Sequence, residues 1–105
     1  MRRLVDLGLE VQITELDVRL PVDSSGEATA AALATQAQIY GDIVGLCLKL
    51  PKCTAVQTWG LTDRYSWVRR TFPGTGAALP FDSSYRPKPA YDSMVAAFRN
   101  AKPVE

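Results

Sequence analysis

Two carboxylates, Glu15 and Asp17, stand two residues apart near the end of the segment Leu9 to Val18, which reads LEVQITELDV. On an extended strand such neighbours lie roughly 7 Å apart on one face, close enough for each to hinder the ionisation of the other. The sequence has no His, which excludes Ser-His-Asp and Cys-His catalysis and His-based zinc sites from this chain. Any chemistry it performs rests on carboxylates, as nucleophile or as proton donor and acceptor. Further along stand Trp59, Tyr65 and Trp67, with Gln57, Asp63 and Arg64 among them. An indole face suits the C–H face of a pyranose ring, and polar side chains suit its hydroxyl rim. Carboxylate plus indole is therefore the pattern of a sugar-cleaving site. The residues alone fit a plainer reading equally: a strand surfacing into solvent at Glu15 and Asp17, and tryptophans filling the core beneath a loop.

The elements that must position these residues follow from pattern. Arg2 to Leu7 reads as a helix end with Gly8 as its left-handed stop, and Leu9 to Val18 as a strand with Val11, Ile13, Glu15 and Asp17 on one face. Pro21 and the turn VDSSG (Val22 to Gly26) follow, offering Asp or Ser as a helix cap. From about Glu27 to Leu50 the residues Leu33, Ala37, Tyr40, Val44 and Cys47 recur at helical spacing, and Pro51 ends that helix. Cys53 to Leu61 is a second strand, with Ala55, Gln57 and Trp59 on one face and Thr54, Val56 and Thr58 on the other. A helix of this length between two strands is the crossover of a parallel pair. The stretch Thr62 to Lys88, rich in Pro and Gly, reads as a long ordered loop, and Pro89 opens a closing helix with Tyr91, Met94, Val95 and Phe98 on its apolar face. The fold class is α/β. Two strands do not complete a parallel sheet, so their edges are expected to pair with another copy or with a larger body.

Composition narrows the partners. Twelve basic against eleven acidic residues leave a net charge of +1, which gives no field for nucleic acid or an anionic membrane and favours a neutral ligand. No apolar run reaches the roughly 18 residues of a membrane span, and the first residues turn polar too soon for a signal peptide. Cys47 and Cys53, with five residues including Pro51 between them, fit either a local disulfide or two buried thiols.

Several motifs occur together in a fixed order: ITELDV (Ile13 to Val18), Gln36-Ala37 and Tyr40, Cys47 and Cys53, TWG (Thr58 to Gly60), DRYSW (Asp63 to Trp67), and FDSSYRPKPAY (Phe81 to Tyr91). Jointly they resemble glycoside hydrolase family 10, the endo-1,4-β-xylanases, over nearly the whole chain. The resemblance implies a (β/α)8 barrel of which residues 1–105 are a C-terminal fragment carrying the last two β-α units. It implies Glu15 as the nucleophile of retaining xylan hydrolysis, and Asp17 as the residue that holds an orienting His, which this chain lacks. It implies Trp59 and Trp67 as walls of the sugar subsite, with Tyr65, Arg64 and Gln57 as further substrate contacts. A Cys47–Cys53 disulfide, a secreted parent, and neither cofactor nor metal are implied as well. The family's acid/base lies in an Asn-Glu motif, and the one Asn here, Asn100, precedes Ala101. The chain alone is therefore expected to be inactive, with xylan or xylo-oligosaccharides as ligand and either homo-oligomer copies or an N-terminal half-barrel as partner. The competing expectation is a non-catalytic xylan-binding or self-assembling structural fragment.

Overall fold

Helix end, strand, long helix, strand, loop and helix follow one another in the computed structural model, which describes residues 1–102. The elements are α1 (Arg2–Asp6), β1 (Val11–Leu16), β2 (Leu20–Pro21), α2 (Ala30–Leu48), β3 (Cys53–Thr58), α3 (Val68–Thr71), β4 (Thr75–Gly76) and α4 (Pro89–Arg99). Gly8 takes a φ of 86° after α1, a conformation that costs a residue without Cβ little. The cap of α2 differs from expectation. Thr29 caps it, its hydroxyl accepting from Ala32 N at 3.1 Å. Asp23 closes its own turn instead, accepting from the backbone N–H of Ser25 and Glu27 at 2.9 and 3.0 Å.

β1 and β3 pair in parallel across α2. Buried Tyr40, Val44 and Cys47 of α2, with Gln36 one turn earlier, form the stripe that faces the core, while Leu33 and Ala37 are half-buried. Cys47 and Cys53 are disulfide-bonded with a Cα–Cα distance of 5.2 Å, so the bond ties the last turn of α2 to the first residue of β3. A ring this small constrains the unfolded chain modestly. Cys47→Ala with Cys53→Ala is expected to cost about 2 kcal/mol of stability, read as a shift in urea midpoint that reductant reproduces in the unsubstituted chain.

The closing helix corrects an expectation. Its face toward α2 is Ala90, Ser93, Met94 and Ala97, of which Ala90 is fully buried, whereas Tyr91 and Phe98 are exposed. The reason is close approach. Gly41 of α2 sits against Ser93, where even a Cβ would collide with the hydroxyl, so small residues occupy the seam and the rings are displaced to its flanks. Tyr91 then packs on Phe81 with ring centroids 4.9 Å apart.

The long segment before α4 is ordered by pairing that the sequence pattern does not reveal. β2 and β4 form a short antiparallel ladder, Leu20 with Gly76 and Pro21 with Thr75. Phe81 bridges to both Thr62 and Pro87. These contacts bring residues 75–81 across the C-terminal ends of β1 and β3.

Candidate active site

The strand alternation expected around Glu15 is interrupted. Ile13 pairs with Val56 but Leu16 with Thr58, so three steps on β1 match two on β3. This irregularity resets the phase: Val11 is buried and Ile13 half-buried, while Gln12, Thr14 and Glu15 are all exposed. Glu15 therefore does not share the face of Val11 and Ile13. β1 ends at Leu16, so Asp17 lies beyond the strand and is placed by other contacts. Among the described residues the Glu15 carboxylate has neither a hydrogen bond nor an ion pair.

The two residues that follow Glu15 each hold a tryptophan. Leu16 accepts a hydrogen bond from the backbone N–H of Trp59 at 2.9 Å, which fixes Trp59 just past the end of β3. Asp17 accepts from the indole Nε1–H of Trp67 at 2.8 Å. In a chain without His, this indole is what orients the Asp17 carboxylate. Both rings stay open, Trp59 at 48% and Trp67 at 46% of full exposure. Trp67 is backed by Phe72, edge to face at a 5.5 Å centroid distance, and Phe72 in turn by the Arg19 guanidinium 4.0 Å from its ring centre. Arg19 and Phe72 escaped the sequence reading, because a cation over a ring 53 positions away leaves no local pattern.

Beneath this surface lies a polar lock. Gln36, fully buried, donates from Nε2 to the carbonyls of Val18, at 2.8 Å, and Ala77. Val18 N donates to Ala78 O at 3.0 Å, and the Tyr40 hydroxyl donates to the same carbonyl. Lys88, buried, gives its ammonium to Asp63 at 2.9 Å and to the carbonyls of Ala77 and Leu79 at 2.7 Å each. The other Asp63 oxygen accepts from Leu79 N at 2.8 Å. Burial pushes the Tyr40 phenol well above its ordinary range, so it remains a donor. Gln36 shows a sequence signal in hindsight: an amide standing one turn before Tyr40 on an otherwise apolar stripe.

Of the polar residues expected at a sugar rim, Asp63 is thus committed to the lock. Gln57 is exposed on β3, and Arg64 is exposed with its guanidinium 5.6 Å from the Tyr65 ring. Tyr65, the most open of the aromatics at 72%, stands on a turn of 3-10 helix, Asp63–Tyr65. Leu16 and Asp17, the two residues after Glu15, join it to Trp59 and Trp67; among the described residues no hydrogen bond or ion pair joins Gln57, Arg64 or Tyr65 to Glu15, Asp17, Trp59 or Trp67.

The sequence pattern of glycosyl hydrolase family 10 matches residues 1–97. The chain belongs to this family. It is 46% identical over 97 residues to endo-1,4-beta-xylanase 5 of Pyricularia oryzae, covering 90% of this chain and 22% of that one. It is 44% identical over 91 residues to endo-1,4-beta-xylanase B of Thermotoga neapolitana, covering 87% and 25%. Among solved structures, xylanase 10B of Thermotoga maritima superposes with a TM-score of 0.86 at 41% identity, over 93% of this chain and 29% of that one. The Thermotoga petrophila xylanase 10B, determined in complex with xylobiose, gives 0.86 at 42% with the same coverage. The chain therefore spans between about a fifth and a third of the length of these family 10 relatives.

The family 10 segment Phe81 to Tyr91 closes on a turn with its own pH dependence. Asp82 accepts from the backbone N–H of Arg86 and of Ser84, both at 2.9 Å. The Arg86 hydrogen bond above all holds its carboxyl below the ordinary value of 3.8. A folded pKa below the unfolded one means that the stabilisation is complete above the unfolded value and is lost as pH falls through the lowered one. Asp82→Asn, which keeps an acceptor but cannot titrate, is expected to lose less melting temperature than the parent between neutral pH and pH ~3. Parallel acid-melting curves by circular dichroism check this.

Proposed function

We propose that residues 1–105 are the nucleophile-bearing C-terminal portion, the last two β-α units, of a barrel that hydrolyses β-1,4-xylosidic bonds with retention of configuration. Glu15 attacks the anomeric carbon. Asp17 fixes the local geometry through Trp67, and Trp59 and Trp67 flank the sugar ring. One observation carries this reading: the residues directly after an exposed, unpartnered carboxylate each hold an exposed tryptophan. Retention needs a second carboxyl group about 5 to 5.5 Å from the first, to protonate the leaving oxygen and later activate water. Asp17 is bound to Trp67, so that acid comes from outside this segment. The Cys47–Cys53 bond is the chemistry of an oxidising compartment and supports a secreted parent.

The chain alone then has a nucleophile without its acid and turns over xylan at best very slowly, the acid being worth roughly 10² to 10⁴ in rate. Release of reducing sugar from xylan by the purified chain tests this, with Glu15→Ala beside it. Robust turnover that depends on Glu15 defeats the claim of inactivity, though not the assignment of the nucleophile. The free outer edges of the β1–β3 pair are also proposed to drive pairing with further copies or with a half-barrel. Light scattering that finds only a folded 11.5 kDa monomer counts against self-assembly.

The openness of Trp59, Tyr65 and Trp67 supports a second reading, a platform that binds xylan without cleaving it. Titration with xylo-oligosaccharides separates the two. A platform loses binding in Trp59→Ala while Glu15→Ala leaves every measured property unchanged, even when a half-barrel is supplied.

A further inference from the structure

Asp17 and Arg19, two residues apart between β1 and β2, reach the same pair of rings. Asp17 accepts from the Trp67 indole at 2.8 Å, and the Arg19 guanidinium lies over Phe72, 4.0 Å from its ring centre. Trp67 and Phe72 meet edge to face at a centroid distance of 5.5 Å and an angle of 70°. Carboxylate, indole, phenyl and guanidinium therefore form one unbroken clamp. The backbone holds both of its arms. Trp67 and Phe72 stand at the two ends of α3, which buried Val68 seats in the core. The Phe72 carbonyl accepts from the Thr75 N–H at 3.1 Å and from the Thr75 hydroxyl at 2.7 Å, and Thr75 pairs with Pro21 in the β2–β4 ladder. Arg19 directly precedes β2, so the same ladder anchors the guanidinium and the phenyl ring beneath it.

Core packing does not account for this clamp. Arg19 is exposed, and Phe72 and Trp67 remain 37% and 46% open. The ion pairs among the described residues, Arg86–Asp82 and Lys88–Asp63, leave Arg19 out, so its charge is placed on a ring and not on a carboxylate. An open indole with no backing exchanges rotamers in water, and a ligand that stacks on it must immobilise it; a ring already held is spared that cost. We propose that Arg19 and Phe72 are positioning residues, which hold Trp67 in the orientation that keeps its N–H on Asp17 and its open face ready for a sugar. The use of that orientation by a sugar rests on the reading of this segment as a xylan site, whereas the hold on the ring does not.

Two measurements test it. The first follows the Trp67 indole N–H resonance in the isotope-labelled full chain, assigned by its absence from Trp67→Phe. Phe72→Leu and Arg19→Gln are each expected to move that resonance toward a free indole and to speed its exchange with water, while the Trp59 resonance and the circular dichroism stay in place. The second measures kinetics on an aryl xylobioside with a family 10 half-barrel co-expressed to supply the acid. Phe72→Leu is expected to raise KM about fivefold and Arg19→Gln about threefold, the loss of one aromatic pair and of one exposed cation–π contact. The kcat of both should stay within about twofold of the parent, since a wall that meets ground and transition states alike acts on KM alone. Phe72→Tyr, which keeps a ring under the guanidinium, is expected to restore both the resonance and KM. A Trp67 resonance that stays put in both variants overturns the proposal, as does an unchanged KM in both. A fall in kcat and melting temperature that Phe72→Tyr fails to reverse also overturns it, since that is the mark of a fold weakened at a distance. If the parent pair does not cleave the xylobioside while the resonance moves as expected, the xylan reading fails and the hold on Trp67 stands.

Discussion

With a family 10 half-barrel containing the Asn-Glu acid co-expressed to complete the site, Glu15→Ala is expected to lower kcat on an aryl xylobioside by roughly 10⁴-fold or more. The chain around position 15 makes this a clean experiment. Glu15 is exposed and takes no hydrogen bond among the described residues, so removing its carboxylate costs the fold little. An effect of this size then reports chemistry rather than unfolding, and an unchanged melting temperature verifies it. Azide supplies a second readout. A small anion entering the vacated space attacks the anomeric carbon from the nucleophile's side, and with no enzyme carboxylate to make a second displacement the product keeps the inverted configuration. Activity within tenfold of the parent, or azide-restored activity that gives only retained product, would remove Glu15 from the nucleophile's role. Asp17→Asn should act differently: the amide still accepts from Trp67 Nε1, so kcat falls far less than in Glu15→Ala, and Trp67 fluorescence hardly moves.

How much of this was legible in the residues differs from element to element, and the difference has a physical cause. The order of elements is a local matter. Gly8 ends α1, Pro51 follows α2 and Pro89 opens α4, because each acts on its own backbone dihedrals. The positions of Glu15 and Trp59 at strand ends were readable for the same reason. The phase of Glu15 was not, since the break between Ile13 and Leu16 arises from pairing with β3, some 40 residues on. The cap of α2 was expected from Asp or Ser of the turn, but Asp23 is engaged in closing that turn and Thr29 takes the cap instead. The polar lock was the least legible part. Gln36 finds its acceptors 18 and 41 residues away and Lys88 its carboxylate 25 residues away, so their burial is a property of the assembled fold. Asp63, which the pattern placed at the rim of a sugar, is instead what neutralises Lys88.

Breaking that neutralisation is expected to give a large loss of stability. Lys88→Met strands the Asp63 carboxylate, whose side chain is only 11% exposed, and removes the donor from two carbonyls, Ala77 and Leu79. Deleting one member of a buried, hydrogen-bonded ion pair costs about 3 to 5 kcal/mol, because the survivor keeps its desolvation penalty without its partner. The exposed pair offers the control: Arg86 and Asp82 stand 3.5 Å apart with side chains 76% and 38% exposed, and Arg86→Ala should cost no more than about 1 kcal/mol. Urea unfolding of both variants decides, and a Lys88→Met loss under 1 kcal/mol would mean that solvent reaches Asp63. Adding Asp63→Asn to Lys88→Met should recover part of the loss, since the orphaned charge disappears while an oxygen still accepts from Leu79 N. The consequence extends to the site. Ala77 and Leu79 flank Ala78, whose carbonyl receives Val18 N, the residue after Asp17. Loosening residues 77–79 therefore frees the backbone that aims Asp17 at Trp67, and the Trp67 emission should shift at urea concentrations below the main unfolding transition.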